Sequence, residues 1–173
     1  EFKGEPVHFK SPADALENGI SMVHQEITLV PELDVAENVW MGREKRFRGP
    51  LGIDWNKCYQ ETKVLLEGLG ISVDVHAKIK NLSVAATQLV ELARAVSYDS
   101  DIIIMDEPTL GIDPEGLREL LNIIRDLSVK DGRTVLISSH QLQQIQQVCD
   151  RVGIYVEGTL VACGTLAELE AHI

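Results

Sequence analysis

The 173-residue chain has no apolar stretch approaching the roughly 20 residues needed to span a bilayer, so a membrane connection is expected to come through a partner. Its first residues, Glu-Phe-Lys-Gly-Glu-Pro, lack the pattern of a signal peptide. Basic residues are scarce: 16 Lys plus Arg stand against 27 Asp plus Glu, a formal net charge of −11. A broad phosphate-backbone binder needs the opposite sign, so no nucleic-acid partner is expected. Only three cysteines occur, Cys58, Cys149 and Cys163, an odd set without metal-ligand spacing. They read as reduced thiols of a cytosolic protein. Internal repeats and low-complexity segments are also missing.

What is present is ordinary globular composition, 45% apolar and 25% charged, in a length that suits one domain with a small inserted subdomain. At this size about 70% of the unfolded chain's surface is buried on folding. Residues 1–9 read as a short hairpin turning at Lys3-Gly4. Ser11 caps a helix begun by Pro12, which Gly19 can close. Residues 20–24 read as a buried strand. Residues 26–97 then read as a helical block. Asp34-Val35-Ala36-Glu37 has capping-box spacing, and Asp54 opens a helix with apolar residues at helical intervals. Residues 83–97 form a third helix with a stripe of Val84, Leu89, Leu92, Ala93 and Val96. Between the first two helices, residues 42–53 form a loop. Its basic cluster, Arg43, Lys45, Arg46 and Arg48 around Phe47, reads as a solvated surface, with a binding patch as the alternative.

From residue 98 the pattern alternates. The runs 102–105 and 134–137 are continuous and apolar, the sign of strands buried on both faces. Between them Asp113-Pro114 opens a helix carrying Leu117, Leu120, Leu121, Ile124 and Leu127 on one face. Residues 141–149 read as a polar-faced helix, 152–163 as a hairpin turning at Glu157-Gly158, and Thr165 as the start of a last helix. Strands alternating with helices predict an α/β fold with a mostly parallel sheet. In such sheets ligands sit outside the carboxyl ends of the strands. Three strand ends place polar residues there: Gln25, Asp106-Glu107 and Ser138-Ser139-His140.

Two adjacent carboxylates after four large apolar residues are costly unless compensated. A hard divalent cation shared with phosphate oxygens does this, and the second carboxylate can then orient or deprotonate a water. A solvated acidic turn is the alternative reading of the pair taken alone. The surrounding residues widen the argument. Residues 102–109, Ile-Ile-Ile-Met-Asp-Glu-Pro-Thr, resemble the Walker B segment of ATP-binding cassette (ABC) ATPases, and Asp113 falls at their D-loop aspartate. Leu82-Ser83-Val84-Ala85-Ala86-Thr87-Gln88 resembles their signature motif, with Ser83 23 residues before Asp106. Gln25 and His140 stand where that family has its Q-loop glutamine and switch histidine. The resemblance covers essentially the whole chain.

The resemblance implies a P-loop NTPase-like, mostly parallel sheet with an inserted α-helical subdomain and short antiparallel strands. Residues 1–25 and 98–173 would belong to the ATPase core and 26–97 to the helical subdomain ending in the signature helix. It implies ATP and Mg²⁺ as ligands. Asp106 and Gln25 would bind Mg²⁺, Glu107 would be the general base, and His140 would hold the γ-phosphate. Ser83 with the amides of Val84 and Ala85 would contact ATP held mainly by a second domain, and Asp113 would couple the two sites. Implied partners are that second ATP-binding domain, in a head-to-tail dimer, and membrane-spanning transporter subunits docking on the helical subdomain. The implied location is cytoplasmic, peripheral on the inner face of the cell membrane. Trp40 in that block could serve docking or pack inside, and packing is the favoured reading. His8, His24, His76 and His172 match no role and read as structural or surface.

Three departures qualify the resemblance. No Gly-x-x-x-x-Gly-Lys-Ser/Thr loop occurs, although such a loop cradles and neutralises the phosphates. In the family it lies upstream of the segment resembled by residues 1–9, so a domain lacking its N-terminal part, inactive by itself, is expected. The usual signature glycines are replaced by Val84 and Ala85, and the usual glutamine by Ala86. Finally, the Leu-Ser-Val-Ala start and residues 9–42 resemble the first cassette of monosaccharide importers, whereas residues 110–117 and 138–152 look more like exporter ATPases. Import of a sugar is the leading expectation; an exporter-type ATPase, a mosaic of the two and a non-catalytic interaction module are the alternatives. A receiver-type signalling domain is disfavoured, because the strand before Ser138 lacks the lysine that fold expects.

Overall fold

The computed structural model describes residue 2 and residues 4–171. Lys3 of the expected first turn and His172 lie outside the described residues. The chain divides into two compact units, Glu1–Ser138 and Ser139–Ile173. No described helix is long and apolar enough to cross a membrane.

The first unit opens on a single antiparallel bridge between Phe2 and Glu5. The expected hairpin over 1–9 extends no further, because Pro6 follows at once and has no N–H to donate. Helix α1 (Pro12–Glu17) is capped by the Ser11 hydroxyl, which accepts from the Asp14 N–H. Strand β1 (Ile20–Val23) follows and ends one residue short of His24. Helix α2 (Val35–Val39) carries the full capping box between Asp34 and Glu37. Strands β2 (Arg48–Gly49) and β3 (Gly52–Ile53) pair as a two-residue ladder within the stretch expected to be loop. Helices α3 (Trp55–Gly68) and α4 (Val84–Val96) are capped by Asp54 and Ser83. Strand β4 (Ile102–Asp106), helix α5 (Pro114–Val129) and strand β5 (Thr134–Ser138) complete the unit.

Among the described residues the principal sheet has the order β1-β4-β5, all parallel. Parallel neighbours need crossover connections. The stretch from α2 to α4 supplies one and α5 the other. Helix α4 packs against β1 and α5 against β5. Ile103 and Met105 in the central strand are fully buried. The expectation that residues 134–137 are buried on both faces fails. Among the described residues β5 pairs only with β4, and Leu136 is 59% exposed. Val84, expected on the buried stripe of α4, is 47% exposed, whereas Ala85, next to it in the same turn, is buried against α5.

The helical stretch has its own core. The Trp40 ring is buried, meets Phe47 edge-on at 5.2 Å, and its Nε1–H donates to Thr62 Oγ1 at 2.9 Å. Packing is thus the role of Trp40. Nor is the basic cluster simply a solvated loop. The Arg43 guanidinium lies 3.6 Å from the Tyr98 ring centroid and donates to the carbonyls of Val39 and Ser97, and burial pushes its pKa down. Arg46 lies over Trp40 and pairs with Glu61 at 2.9 Å. Burial pushes the Cys58 thiol up to about 11, which disfavours the reactive thiolate.

In the second unit, helix α6 (Leu142–Ile145) is shorter than the 141–149 expected, since glutamines at 141, 143, 144, 146 and 147 leave little apolar face to bury. Strands β6 (Val152–Val156) and β7 (Thr159–Gly164) form the expected hairpin, turning at Glu157-Gly158 with both residues at positive φ. Thr165 and Glu168 form a capping box at the start of α7 (Leu166–Glu170).

Replacing Thr62 by valine keeps the volume but leaves the buried Trp40 N–H without its acceptor. The expected cost is about 1–3 kcal/mol. Urea unfolding followed by tryptophan fluorescence measures it, and an unchanged midpoint contradicts the assignment of this bond as a core tie.

Candidate functional site

The register of the parallel sheet positions the first group of candidate residues. Val23 is level with Met105, Met105 with Ile137, and Asp106 with Ser138. The chain therefore leaves all three strands at one edge. Gln25, two residues beyond β1, is exposed there. Asp106 closes β4 half-buried, and its Oδ1 accepts a hydrogen bond from the Ser138 hydroxyl. Ser138 is a site residue that the sequence reading placed at the edge without a role.

Glu107 comes next, with φ +45°. Left-handed backbone at a non-glycine residue costs on the order of 1–3 kcal/mol and persists only where the surroundings hold it. Here the Glu107 N–H donates to the Ser138 carbonyl at 3.0 Å, and its own carbonyl accepts from the Leu110 N–H at 3.2 Å. The sharp turn directs Glu107 away from the line of the strand.

The donor chemistry suits a hard cation. Asp106, Ser138 and Gln25 offer oxygen atoms, the preference of Mg²⁺. No group of three or more His, Cys, Asp and Glu gathers into a metal cage among the described residues.

A second group lies where α4 meets α5. Ser83 Oγ accepts from the Ala86 N–H at 3.2 Å and caps α4. A serine hydroxyl that accepts can still donate. The amides of Val84 and Ala85 lie in the first turn, whose N–H groups have no partner within the helix. Asp113 caps α5, its Oδ2 accepting from the N–H groups of Glu115 and Gly116 at 3.3 Å each. The two caps are held together by a close approach: a Cβ built on Gly116 would stand 2.4 Å from the Ala85 Cβ. Gly116 was not singled out from sequence, although a glycine in the first turn of a helix is costly and hints at such an approach. His140 belongs to the second unit. It is exposed, two residues beyond β5, with Nε2 3.5 Å from Gln141 Nε2.

A protein-family model described as ABC transporter matches residues 1–110. The chain is 40% identical over 168 residues to the galactose/methyl galactoside import ATP-binding protein MglA of Escherichia coli K12, covering 97% of this chain and 33% of that protein. It is 42% identical over 157 residues to the MglA of Haemophilus influenzae, covering 91% of this chain and 30% of that protein. The chain thus spans about a third of the length of these relatives. Among solved structures, a nucleotide-free ATP-binding cassette from an ABC transporter superposes with a TM-score of 0.77 at 27% identity, over 94% of this chain and 67% of that one. The ADP conformation of another cassette, MJ1267, gives 0.76 at 27% identity, over 92% of this chain and 65% of that one.

The contact at Gly116 is open to a reciprocal test. Gly116→Ala is expected to destabilise the protein by about 1–3 kcal/mol through overpacking, and adding Ala85→Gly is expected to recover most of it. Thermal unfolding of the two single variants and the double variant measures the recovery. Additive losses would mean that the two Cβ positions do not meet.

Proposed function

Because the chain belongs to the ABC transporter family, we propose that it is part of an ATP-binding subunit that hydrolyses ATP to drive uptake of a sugar. The observation that carries this reading is the single sheet edge shared by Gln25, Asp106, Glu107 and Ser138. Identity of 40–42% to galactose/methyl galactoside import proteins supports import. The E. coli match reaches over 97% of the chain and so includes the residues that read as exporter-like, which weighs against a mosaic.

In the proposed mechanism Asp106 holds Mg²⁺, with Gln25 as a second oxygen donor. The cation supplies charge neutralisation between the carboxylate and the phosphates of ATP. Ser138 fixes the Asp106 carboxylate by donating to it. Glu107 takes the proton of the attacking water. His140 is assigned to the γ-phosphate from its place after β5 in the sequence. Ser83 and the α4 amides present a helix N-terminus to the phosphates of ATP held by a second ATP-binding domain, where both the dipole and the free N–H groups favour an anion. Asp113, joined to that turn through Gly116, couples the two sites of a head-to-tail dimer. Residues 26–97 form the arm on which membrane-spanning subunits dock, between core segments 1–25 and 98–173, at the inner face of the membrane.

Calorimetry with Mg·ATP tests the reading on the 173-residue chain and on the same chain extended upstream by a phosphate-loop segment. Binding by the extended chain alone is the expected result. Binding by neither favours a non-catalytic interaction module. In the intact protein Glu107→Gln is expected to lower kcat by about 10²–10⁴-fold while ATP still binds. Unchanged turnover removes Glu107 from the role of base.

A further inference from the structure

The loop that presents Gln25 is tied at both ends, and its second tie is a buried carboxylate outside every motif discussed above. At the near end Val23 is held in the sheet against Met105. At the far end the Thr28 N–H donates to Glu91 Oε1 at 2.7 Å, and the Thr28 hydroxyl donates to the same oxygen at 2.9 Å. Arg94 Nη1 reaches Thr28 Oγ1 at 3.3 Å. Residues 24–27 between the ties are exposed. Three residues span at most about 10–11 Å, so the tie at Thr28 limits where Gln25 can stand. The next polar tie comes only at Val30, whose N–H and C=O bond to the side chain of Asn38.

Glu91 sits on α4 and is only 6% exposed, in a helix whose neighbouring positions Val90, Leu92 and Ala93 are fully buried and apolar. An apolar residue would pack there without burying a charge, and a buried carboxylate is costly unless it is hydrogen-bonded. What the carboxylate adds to the structure is the pair of bonds to Thr28. It lies eight residues after Ser83 on the same helix, about 12 Å along the axis. One rigid element therefore carries the capping serine and holds the loop of the Q-loop glutamine.

We propose that Glu91 is a positioning residue for Gln25, acting through Thr28 to hold the loop in register with the sheet edge. This rests on the nucleotide-site reading given above. Glu91 does not touch the reacting groups; it restricts the glutamine that does.

The test combines two readouts. In the 173-residue chain, hydrogen exchange at the Thr28 amide is expected to speed up about tenfold or more in Glu91→Leu and to be largely restored in Glu91→Gln, which keeps an acceptor oxygen. In the intact protein, Glu91→Leu is expected to lower kcat for ATP by about 10- to 100-fold, the scale on which mispositioning acts, with KM changed little. Glu91→Gln is expected to recover most of the loss. Should Glu91→Leu fail to fold, Thr28→Val at its exposed position removes one of the two bonds and is expected to lower kcat by about threefold. Because Glu91 acts through Gln25, adding Glu91→Leu to Gln25→Ala is expected to cause no further loss. A further loss in that background overturns the proposal, as does normal turnover in the Glu91 and Thr28 variants while Gln25→Ala is impaired. Normal turnover in Gln25→Ala itself overturns the nucleotide-site reading of that glutamine, and the proposal falls with it.

Discussion

The parallel register of β4 with its two neighbours is the constraint on which the rest of the first unit depends. With Met105 level with both Val23 and Ile137, all three strands must finish at one edge. Parallel pairing also forbids tight turns between neighbours. The chain must run back along the sheet each time, and it does so through α4 and α5. Ile103 and Met105 in the central strand are fully buried, while α4 packs on β1 and α5 on β5 to either side. The strained turn at Glu107 is affordable only because its N–H and C=O are both held, one of them by the neighbouring strand.

A second constraint is the close passage of α4 over α5. Two helices approach this tightly only where a side chain is missing, and Gly116 supplies the gap into which Ala85 fits. The complementarity has a direct bearing on the altered signature. Where the related motif has a glycine, this chain has a methyl group, and the structure shows where that methyl group is accommodated. Val84, by contrast, is exposed, so its extra bulk meets no packing limit within the described residues. The replacement of both glycines thus leaves the Ser83 cap and its bond to Ala86 intact.

Local signals made much of this legible in the sequence. Ser11, Asp34, Asp54, Ser83, Asp113 and Thr165 all cap the helices expected of them, because capping depends on a few neighbouring residues. The strand ends carrying Gln25 and Asp106 followed from apolar runs and from the alternation of strands with helices. What was hidden depended on distant partners. Edge exposure of Leu136 follows from how many strands flank β5, which periodicity cannot report. Arg43 and Arg46 read as a charged loop, yet Arg43 is half-buried against Tyr98 and the exposed Arg46 lies over the Trp40 ring. The tie between Thr28 and Glu91 joins residues 63 positions apart. Its one visible trace was a glutamate among apolar positions of α4.

The charge balance of the sheet edge bears on why a cation is integral to the proposed chemistry. The bond that Asp106 accepts from Ser138 comes from a neutral hydroxyl, which orients the carboxylate without neutralising it. Glu107 adds a second carboxylate one residue later, and the chain as a whole carries a formal charge of −11. A polyphosphate brought to such an edge is repelled unless positive charge stands between them. In the proposed chemistry a divalent cation held by Asp106 would reverse the local sign. In that reading Glu107, which follows at φ +45°, is the base and not a second ligand. The proposed division of labour between the adjacent acids would then rest on backbone conformation, since their side chains differ by only one methylene group.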